Sequence, residues 1–183
     1  MDGPILTNGS FYSDSKPPFR DRSGSSTSLT TSYVAYVPTS DIPWFPANYF
    51  TPGKLLYIRH MFQTTSAATP NGFFVGLMFG TNTSGFGTTL CNAGITWTAN
   101  QSQVQCQCDF WVRCRSAGPS GQMFSYGVVW LGGTGLIPIP ASGGIGNVTL
   151  DTTKGGYIAP QYFRSGSTAE TITHHDIFTR AMN

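Results

Sequence analysis

The sequence predicts an all-β protein: a single antiparallel β-sandwich of jelly-roll type with an extended N-terminal arm. Charged residues make up only 10% of the 183 residues, against roughly 25% in an average soluble domain. The chain has one Glu and three Lys, so it lacks the side chains that usually coat surface helices, whereas 22 Gly and 12 Pro supply many turns. Residues 104–115 alternate between apolar and polar with a period of two, which is typical of a strand.

Residues 1–31 predict the extended arm, and residues 32–183 predict the sandwich. No period of 2 or 3.6 residues persists in the arm, and its bulky side chains are scattered. We expect Phe11, Tyr12, Phe19 and Arg20 to anchor the arm on a neighbouring subunit, because aromatic residues and arginine are enriched at interfaces. A disordered tail is the alternative interpretation.

The rest of the chain predicts eight or so strands separated by turn residues, which is the spacing of a sandwich. Weaker strand signals lie around Leu90 and at residues 95–98, and the Gly- and Pro-rich residues 132–146 predict a loop. The predicted strands are residues 32–37, 54–63, 72–80, 104–115, 122–131, 147–152, 156–164 and 170–179.

The strand at residues 104–115 has one face for the core and one for solvent. Its even positions are Val104, Cys106, Cys108, Phe110, Val112 and Cys114. Its odd positions are Gln105, Gln107, Asp109, Trp111, Arg113 and Arg115. Because successive side chains of a strand point to opposite faces, we expect the even set in the core and the odd set outside.

The four cysteines predict buried, reduced thiols. Cys106 and Cys108 lie two residues apart on one strand face, with Cα atoms about 6.5–7 Å apart, at or beyond the reach of a disulfide. Zinc sites usually need wider Cys pairs with matching partners elsewhere. A disulfide and a metal site remain the alternatives for these thiols.

No catalytic, cofactor or metal site is predicted. His174 and Asp176 are expected to share a strand face, but two ligands make at most half a metal site. The glycine runs lack the strand–loop–helix context of a phosphate loop, and no G-x-S-x-G motif occurs. The net charge of +2 without a basic stripe predicts no direct nucleic-acid binding, and no apolar run is long enough for a membrane span. The N-terminus lacks a signal-peptide pattern.

The order of several ordered segments resembles small jelly-roll virion proteins of tailed bacteriophages, among them capsid decoration (cement) proteins. The resemblance covers roughly residues 49–178. A Pro-Gly-Lys turn leads into Leu55–Arg59, the long alternating strand is followed by an Ala-Gly-Pro-Ser-Gly turn, and a Leu-Asp-Thr-Thr motif precedes the final Ser-rich Ile172-Thr segment.

This resemblance implies a non-enzymatic structural protein that decorates and stabilises the exterior of a phage capsid. It implies a homotrimer that contacts the major capsid protein, is made in the host cytoplasm and is located on the capsid surface of the virion. Mass action would then stabilise the assembled lattice, because the protein binds the lattice and not its separate subunits.

Two alternatives stay open. In a tail or receptor-binding jelly roll, exposed Trp side chains would stack on host glycans, and Trp44, Trp97 and Trp130 are the candidates. A carbohydrate-binding domain or an enzyme on the same fold is the third hypothesis, because a fold alone does not determine a function.

Overall fold

The computed structural model describes residues 5–7, 10–12, 27–140, 147–166 and 169–182. These residues contain strands and no helix, so none of them forms a helix that is long and apolar enough to cross a membrane. The strands are β1 (Ile5–Thr7), β2 (Ser10–Tyr12), β3 (Thr27–Ser28), β4 (Trp44–Phe45), β5 (Leu55–Thr65), β6 (Gly72–Gly80), β7 (Thr88–Thr96), β8 (Val104–Ser116), β9 (Gly121–Leu131), β10 (Gly135–Ile139), β11 (Asn147–Leu150), β12 (Gly156–Arg164) and β13 (Thr171–Met182).

Two antiparallel sheets pack into a sandwich. The larger sheet has the strand order β10-β9-β8-β5-β13-β3, with β11 also paired to β9. The smaller sheet has the order β4-β12-β6-β7. The predicted all-β sandwich of jelly-roll type is therefore confirmed.

The core lies between the sheets and is built from the inward positions of long alternating strands. In β5 the residues alternate strictly between buried and half-buried, with Leu56, Ile58 and Phe62 fully buried. From the smaller sheet, Phe73 stacks on Tyr162 with 5.7 Å between ring centroids. All four cysteines are free thiols in this interior, which confirms the prediction of buried, reduced thiols.

Residues 32–37 and 132–146 differ from the sequence prediction, and β7 begins before the weak strand signal at 95–98 and ends at Thr96. Residues 32–37 do not form a strand; a single bridge joins Val34 to Tyr162, and Tyr33 packs edge-on against Phe163 over the outer face of the smaller sheet. The predicted loop 132–146 contains β10, because a turn at residues 132–134 returns the chain along β9. Pro138 is compatible with this strand because β10 lies at the sheet edge.

The start of the chain contributes three short strands. β1 and β2 form a hairpin, and β3 pairs with β13, followed by Leu29, which is buried in the core. Phe11 and Tyr12 belong to β2 by their backbone, and Phe19 and Arg20 lie outside the described residues. The arm over residues 1–31 and its four anchors stay predictions.

A bulge in β13 reverses which positions of that strand face the core. His174 is opposite Phe62 of β5, but the next paired residue is Asp176, opposite Met61. His174 therefore faces the core and Asp176 faces outward. The prediction that these two residues share a face is wrong, because His175 is an extra residue in the ladder.

Gly127 allows β8 and β9 to approach closely near the middle of the larger sheet. A Cβ at this position would meet the backbone carbonyl oxygen of Asp109, and would lie 3.0 Å from Cδ1 of Phe110. We predict that Gly127→Ala lowers the free energy of unfolding by about 1–3 kcal/mol, since the backbone of β8 cannot move aside cheaply. Urea titration measures this change.

Gly87→Ala is the matched control, because no heavy atom lies within 4 Å of a Cβ there. It should change the free energy of unfolding by less than about 0.5 kcal/mol. Equal stability of Gly127→Ala and the parent protein would contradict the close approach.

Candidate functional site

The outer face of the larger sheet carries a row of five aromatic rings that we call the aromatic ladder: Phe178, Tyr57, Trp111, Tyr126 and Phe124. Trp111 and Tyr126 are stacked, with centroids 5.3 Å apart and planes 11° from parallel. Tyr57 lies 5.4 Å from Trp111 and 6.2 Å from Phe178, and Phe124 lies 5.7 Å from Tyr126. These spacings fall in the range of favourable aromatic pairs.

The register of four strands assembles the ladder. Tyr57 of β5 is directly opposite Trp111 of β8, which is directly opposite Tyr126 of β9. Because directly opposite residues lie on the same face, these three rings form one line across the sheet. Phe178 is brought to this face by the bulge in β13. With adjacent strands about 4.8 Å apart, the ladder crosses roughly 14 Å of sheet.

Arginines surround the ladder. Arg113 is opposite Phe124, and Arg180 is opposite Tyr57, and both are exposed. The guanidinium of Arg115 lies 4.6 Å from the centroid of the Phe124 ring, and that of Arg59 lies 5.6 Å from the Tyr57 ring. These distances allow cation–π attraction, which orients the guanidinium groups beside the rings.

Asp109 organises the polar centre of the face. Its carboxylate accepts hydrogen bonds from the Tyr57 hydroxyl (2.5 Å), from Nε of Arg59 (2.7 Å) and from Nε2 of Gln107 (2.7 Å). A second contact joins Nη2 of Arg59 to the other carboxylate oxygen at 3.4 Å. The Arg59 side chain is 43% exposed, whereas that of Asp109 is 12% exposed. The carboxylate therefore holds Arg59 and Tyr57 in place while leaving much of Arg59 in contact with solvent.

The protonation states on this face follow from these contacts. Burial and the hydrogen bond to Asp109 raise the pKa of Tyr57 to about 12, so its hydroxyl stays protonated at neutral pH. Burial acts to raise the pKa of Asp109, but the hydrogen bonds from Arg59, Tyr57 and Gln107 outweigh it and hold this pKa below its ordinary value. Burial raises the pKa of Asp176 at the edge of the face.

Charge on the outer face is predominantly positive. Among the described residues that share this face, four arginines stand against two aspartates. The arginines are Arg59, Arg113, Arg115 and Arg180, and the aspartates are Asp109 and Asp176. The face therefore combines aromatic rings with positive charge.

A second polar cluster lies inside the sandwich. His60 contacts the hydroxyl of Tyr162 through Nδ1, and its Nε2 lies 2.9 Å from Nδ1 of His174. Nε2 of His174 lies 3.8 Å from a carboxylate oxygen of Asp41. His60 and Tyr162 are fully buried and His174 is nearly so. We call His60, Tyr162, His174 and Asp41 the buried relay.

One arrangement of protons satisfies the buried relay. An ionised Asp41 favours the proton of His174 on the nitrogen that faces it, which leaves Nδ1 of His174 as an acceptor. His60 then donates a hydrogen bond from Nε2 to Nδ1 of His174, and its Nδ1 accepts a hydrogen bond from the Tyr162 hydroxyl. Both imidazoles are neutral in this arrangement. Burial lowers the pKa of His60 well below its ordinary value, and positive charge on His174 or His175 would lower it further.

The structure places the sequence-predicted residues as follows. Trp111 faces outward as predicted, with the other odd positions of β8, although Asp109 is covered by its hydrogen-bonding partners. Trp44 and Trp130 are exposed, whereas Trp97 is buried and stacks on Phe73 with centroids 4.4 Å apart. Trp97 is therefore unavailable for stacking on a sugar.

Sequence reasoning missed the partners of these residues. Tyr57 and Arg59 are about fifty positions from Asp109, and His60 is 114 positions from His174. No local signal joins them, although alternation in residues 54–63 puts Tyr57 and Arg59 on one face. Among the described residues, no group of three or more His, Cys, Asp or Glu is placed to hold a metal ion.

Comparison with known proteins finds distant structural similarity only. No family model and no curated protein sequence matches the chain. The chain is similar to the crystal structure of alginate lyase A1-II′ of polysaccharide lyase family 7, with 9% identity and a TM-score of 0.35, covering 73% of this chain and 65% of that one. It is similar to a functionally unknown protein from Saccharomyces cerevisiae, with 10% identity and a TM-score of 0.35 over 99% and 92% of the two chains. It is also similar to an alginate lyase from Alteromonas sp. 272, with 8% identity and a TM-score of 0.30 over 86% and 94%.

These findings correct two predictions. The predicted phage function, a capsid cement protein or a tail protein, is wrong, since the similar structures are polysaccharide lyases and a yeast protein of unknown function. The prediction that the chain is not an enzyme is contradicted by the same structures. The resemblance to phage virion proteins holds only for the β-sandwich itself. Identities of 8–10% with TM-scores of 0.30–0.35 assign no reaction to this chain.

The buried relay makes stability depend on pH. Folded His60 stays neutral, whereas the unfolded chain takes up a proton at this residue below its ordinary pKa of 6.5. The unfolded state then binds more protons, so we predict that the free energy of unfolding falls as the pH drops below 6.5, by up to about 1.4 kcal/mol per pH unit. Urea titrations between pH 5 and 7.5 measure this slope.

His60→Phe keeps a ring against Phe62 but removes the titrating group, so its slope should be shallower than that of the parent protein. Gly87→Ala, which removes no titratable group and leaves the relay unchanged, is the control and should keep the parent slope. Equal slopes for His60→Phe and the parent would contradict a neutral buried His60.

Proposed function

We propose that the aromatic ladder and its arginines bind an acidic polysaccharide, specifically a polyuronate chain. The observation that carries the proposal is the coincidence of five aromatic rings and four arginines on one outer sheet face. The other clusters of rings in the described residues pack in the interior or beneath neighbouring segments.

The ladder suits a sugar chain for a physical reason. A sugar ring presents C–H groups on its faces and hydroxyl groups around its edge. The C–H groups gain dispersion and hydrophobic contact against aromatic rings, while the hydroxyls need polar partners. The Tyr57 hydroxyl, the Arg59 guanidinium and the Gln107 amide stand beside the rings and are polar groups of this kind.

The arginines favour a carboxylate-bearing sugar over a neutral one. A guanidinium binds a carboxylate through two parallel hydrogen bonds, which a neutral hydroxyl cannot match. Arg59 already donates a hydrogen bond to Asp109, whereas Arg113 and Arg180 are exposed beside the ladder. The excess of arginine also disfavours contact between two copies of this face, because like charges would oppose each other.

The predicted homotrimer, capsid-protein partner, absence of nucleic-acid binding and virion location are untested and stay predictions. The molar mass in solution distinguishes a trimer from a monomer. An oligothymidylate probe tests nucleic-acid binding, since single strands also stack on aromatic rings beside arginines.

The first test compares binding to polygalacturonate, neutral dextran and oligothymidylate by isothermal titration calorimetry. We predict binding to polygalacturonate that Trp111→Ala weakens about tenfold or more, because the central ring of the ladder is removed. Trp44→Ala is the matched control, since Trp44 is 47% exposed but lies on the smaller sheet. Its affinity should equal that of the parent.

Three outcomes of this test would overturn the proposal. They are the absence of polygalacturonate binding, equal losses in Trp111→Ala and Trp44→Ala, and tighter binding of oligothymidylate than of polygalacturonate. Thermal unfolding of each variant identifies any loss that comes from misfolding.

The charge contribution is tested separately. Arg113→Gln combined with Arg180→Gln should weaken polygalacturonate binding and reduce its dependence on salt concentration, because exposed charges are screened by salt. Both side chains are exposed, so folding should be unaffected. Lys154→Gln, a change of an exposed cation outside this face, is the control. Unchanged salt dependence in the double variant would remove the arginines from the binding site.

A further inference from the structure

Trp130 and Leu136 form an exposed apolar pair on the same outer face, away from the aromatic ladder. Trp130 is 45% exposed and Leu136 is 68% exposed. They are directly opposite each other on β9 and β10. Because Tyr126, Val128 and Trp130 occupy alternate positions of β9, Trp130 shares the face of the ladder.

The distance between the ladder and this pair is set by β9. Trp130 follows Tyr126 by four residues, which is about 14 Å along an antiparallel strand. A single sugar ring that stacks on Tyr126 therefore does not reach Trp130. An extended chain that follows the direction of β9 passes over both rings.

Val128 lies between Tyr126 and Trp130 on β9, and polar groups of β8 and β5 flank this interval. Arg59 is opposite Asp109 in the row next to that of Tyr57, Trp111 and Tyr126, and Gln107 is opposite Trp130 in the following row. Gln107 donates to Asp109 at 2.7 Å, so the two rows are joined by a hydrogen bond. A chain crossing this interval meets hydrogen-bonding groups for its hydroxyls and a guanidinium for its carboxylates.

We infer that Trp130 and Leu136 form a second stacking site for the same acidic polysaccharide, so that the chain lies along β9 and not across the strands. This inference rests on the proposed function. The second site makes affinity depend on chain length, because a long chain engages both regions and the second contact is then intramolecular. A second copy of this protein covering the apolar pair is the competing occupant.

The test compares digalacturonate with a galacturonate oligomer of eight residues by isothermal titration calorimetry. The parent protein should bind the long oligomer at least about tenfold more tightly than the short one. Trp130→Ala should abolish that gain while leaving digalacturonate binding unchanged. Leu136→Ala, at a side chain too exposed to affect folding, should reduce the gain in part, and Trp44→Ala should retain it fully.

The outcomes separate the two proposals. If no galacturonate probe binds the parent protein, the proposed function fails. If the parent binds but Trp130→Ala keeps the full gain with length, or loses affinity equally for both oligomers, the second site is excluded. A parent protein that is dimeric or larger in light scattering, and that becomes monomeric in Trp130→Ala, would assign the apolar pair to self-association.

Discussion

The register of β5, β8 and β9 is the constraint on which the rest of the structure depends. Side chains alternate with a period of two, so a shift by one residue would bury the outer face and expose the core. Packing on the core side of β8 fixes this register, because four alternate side chains of the strand are buried between the sheets: Cys106, Cys108, Phe110 and Val112. The same pairing lines up Tyr57, Trp111 and Tyr126 outside, so packing inside the sandwich determines chemistry on its surface.

Sequence periodicity predicted much of the fold and little of the site. Residues 72–80 and 156–164 form strands with the predicted bounds, and the two faces of β8 are as expected, because burial on one side imposes alternation. Residues 32–37 alternate too, but they lie over the smaller sheet and only bridge to it, which no local pattern specifies. The contacts of Asp109 and His60 join distant strands, and pairing of this kind is decided by the whole topology.

Composition gave a misleading impression of the surface. A charged fraction of 10% and a net charge of +2 describe the average of the chain, and neither value indicates where the charges lie. The structure instead concentrates four of its arginines on one sheet face, beside the ladder. Buried polar groups are instead satisfied inside the core: in the buried relay, His60 contacts both Tyr162 and His174, and burial keeps His60 neutral.

The bulge at His175 divides β13 into two halves that are out of phase. Before it, even-numbered residues such as Ile172 and His174 enter the core; after it, odd-numbered residues do, and Phe178 and Arg180 reach the outer face. Loss of His175 alone would make Asp176 follow His174 directly in the ladder, so the pairing would become regular and Phe178 and Arg180 would keep their outward positions. A single insertion or deletion elsewhere in β13 would instead shift the residues beyond it by one position and exchange their core and outer faces.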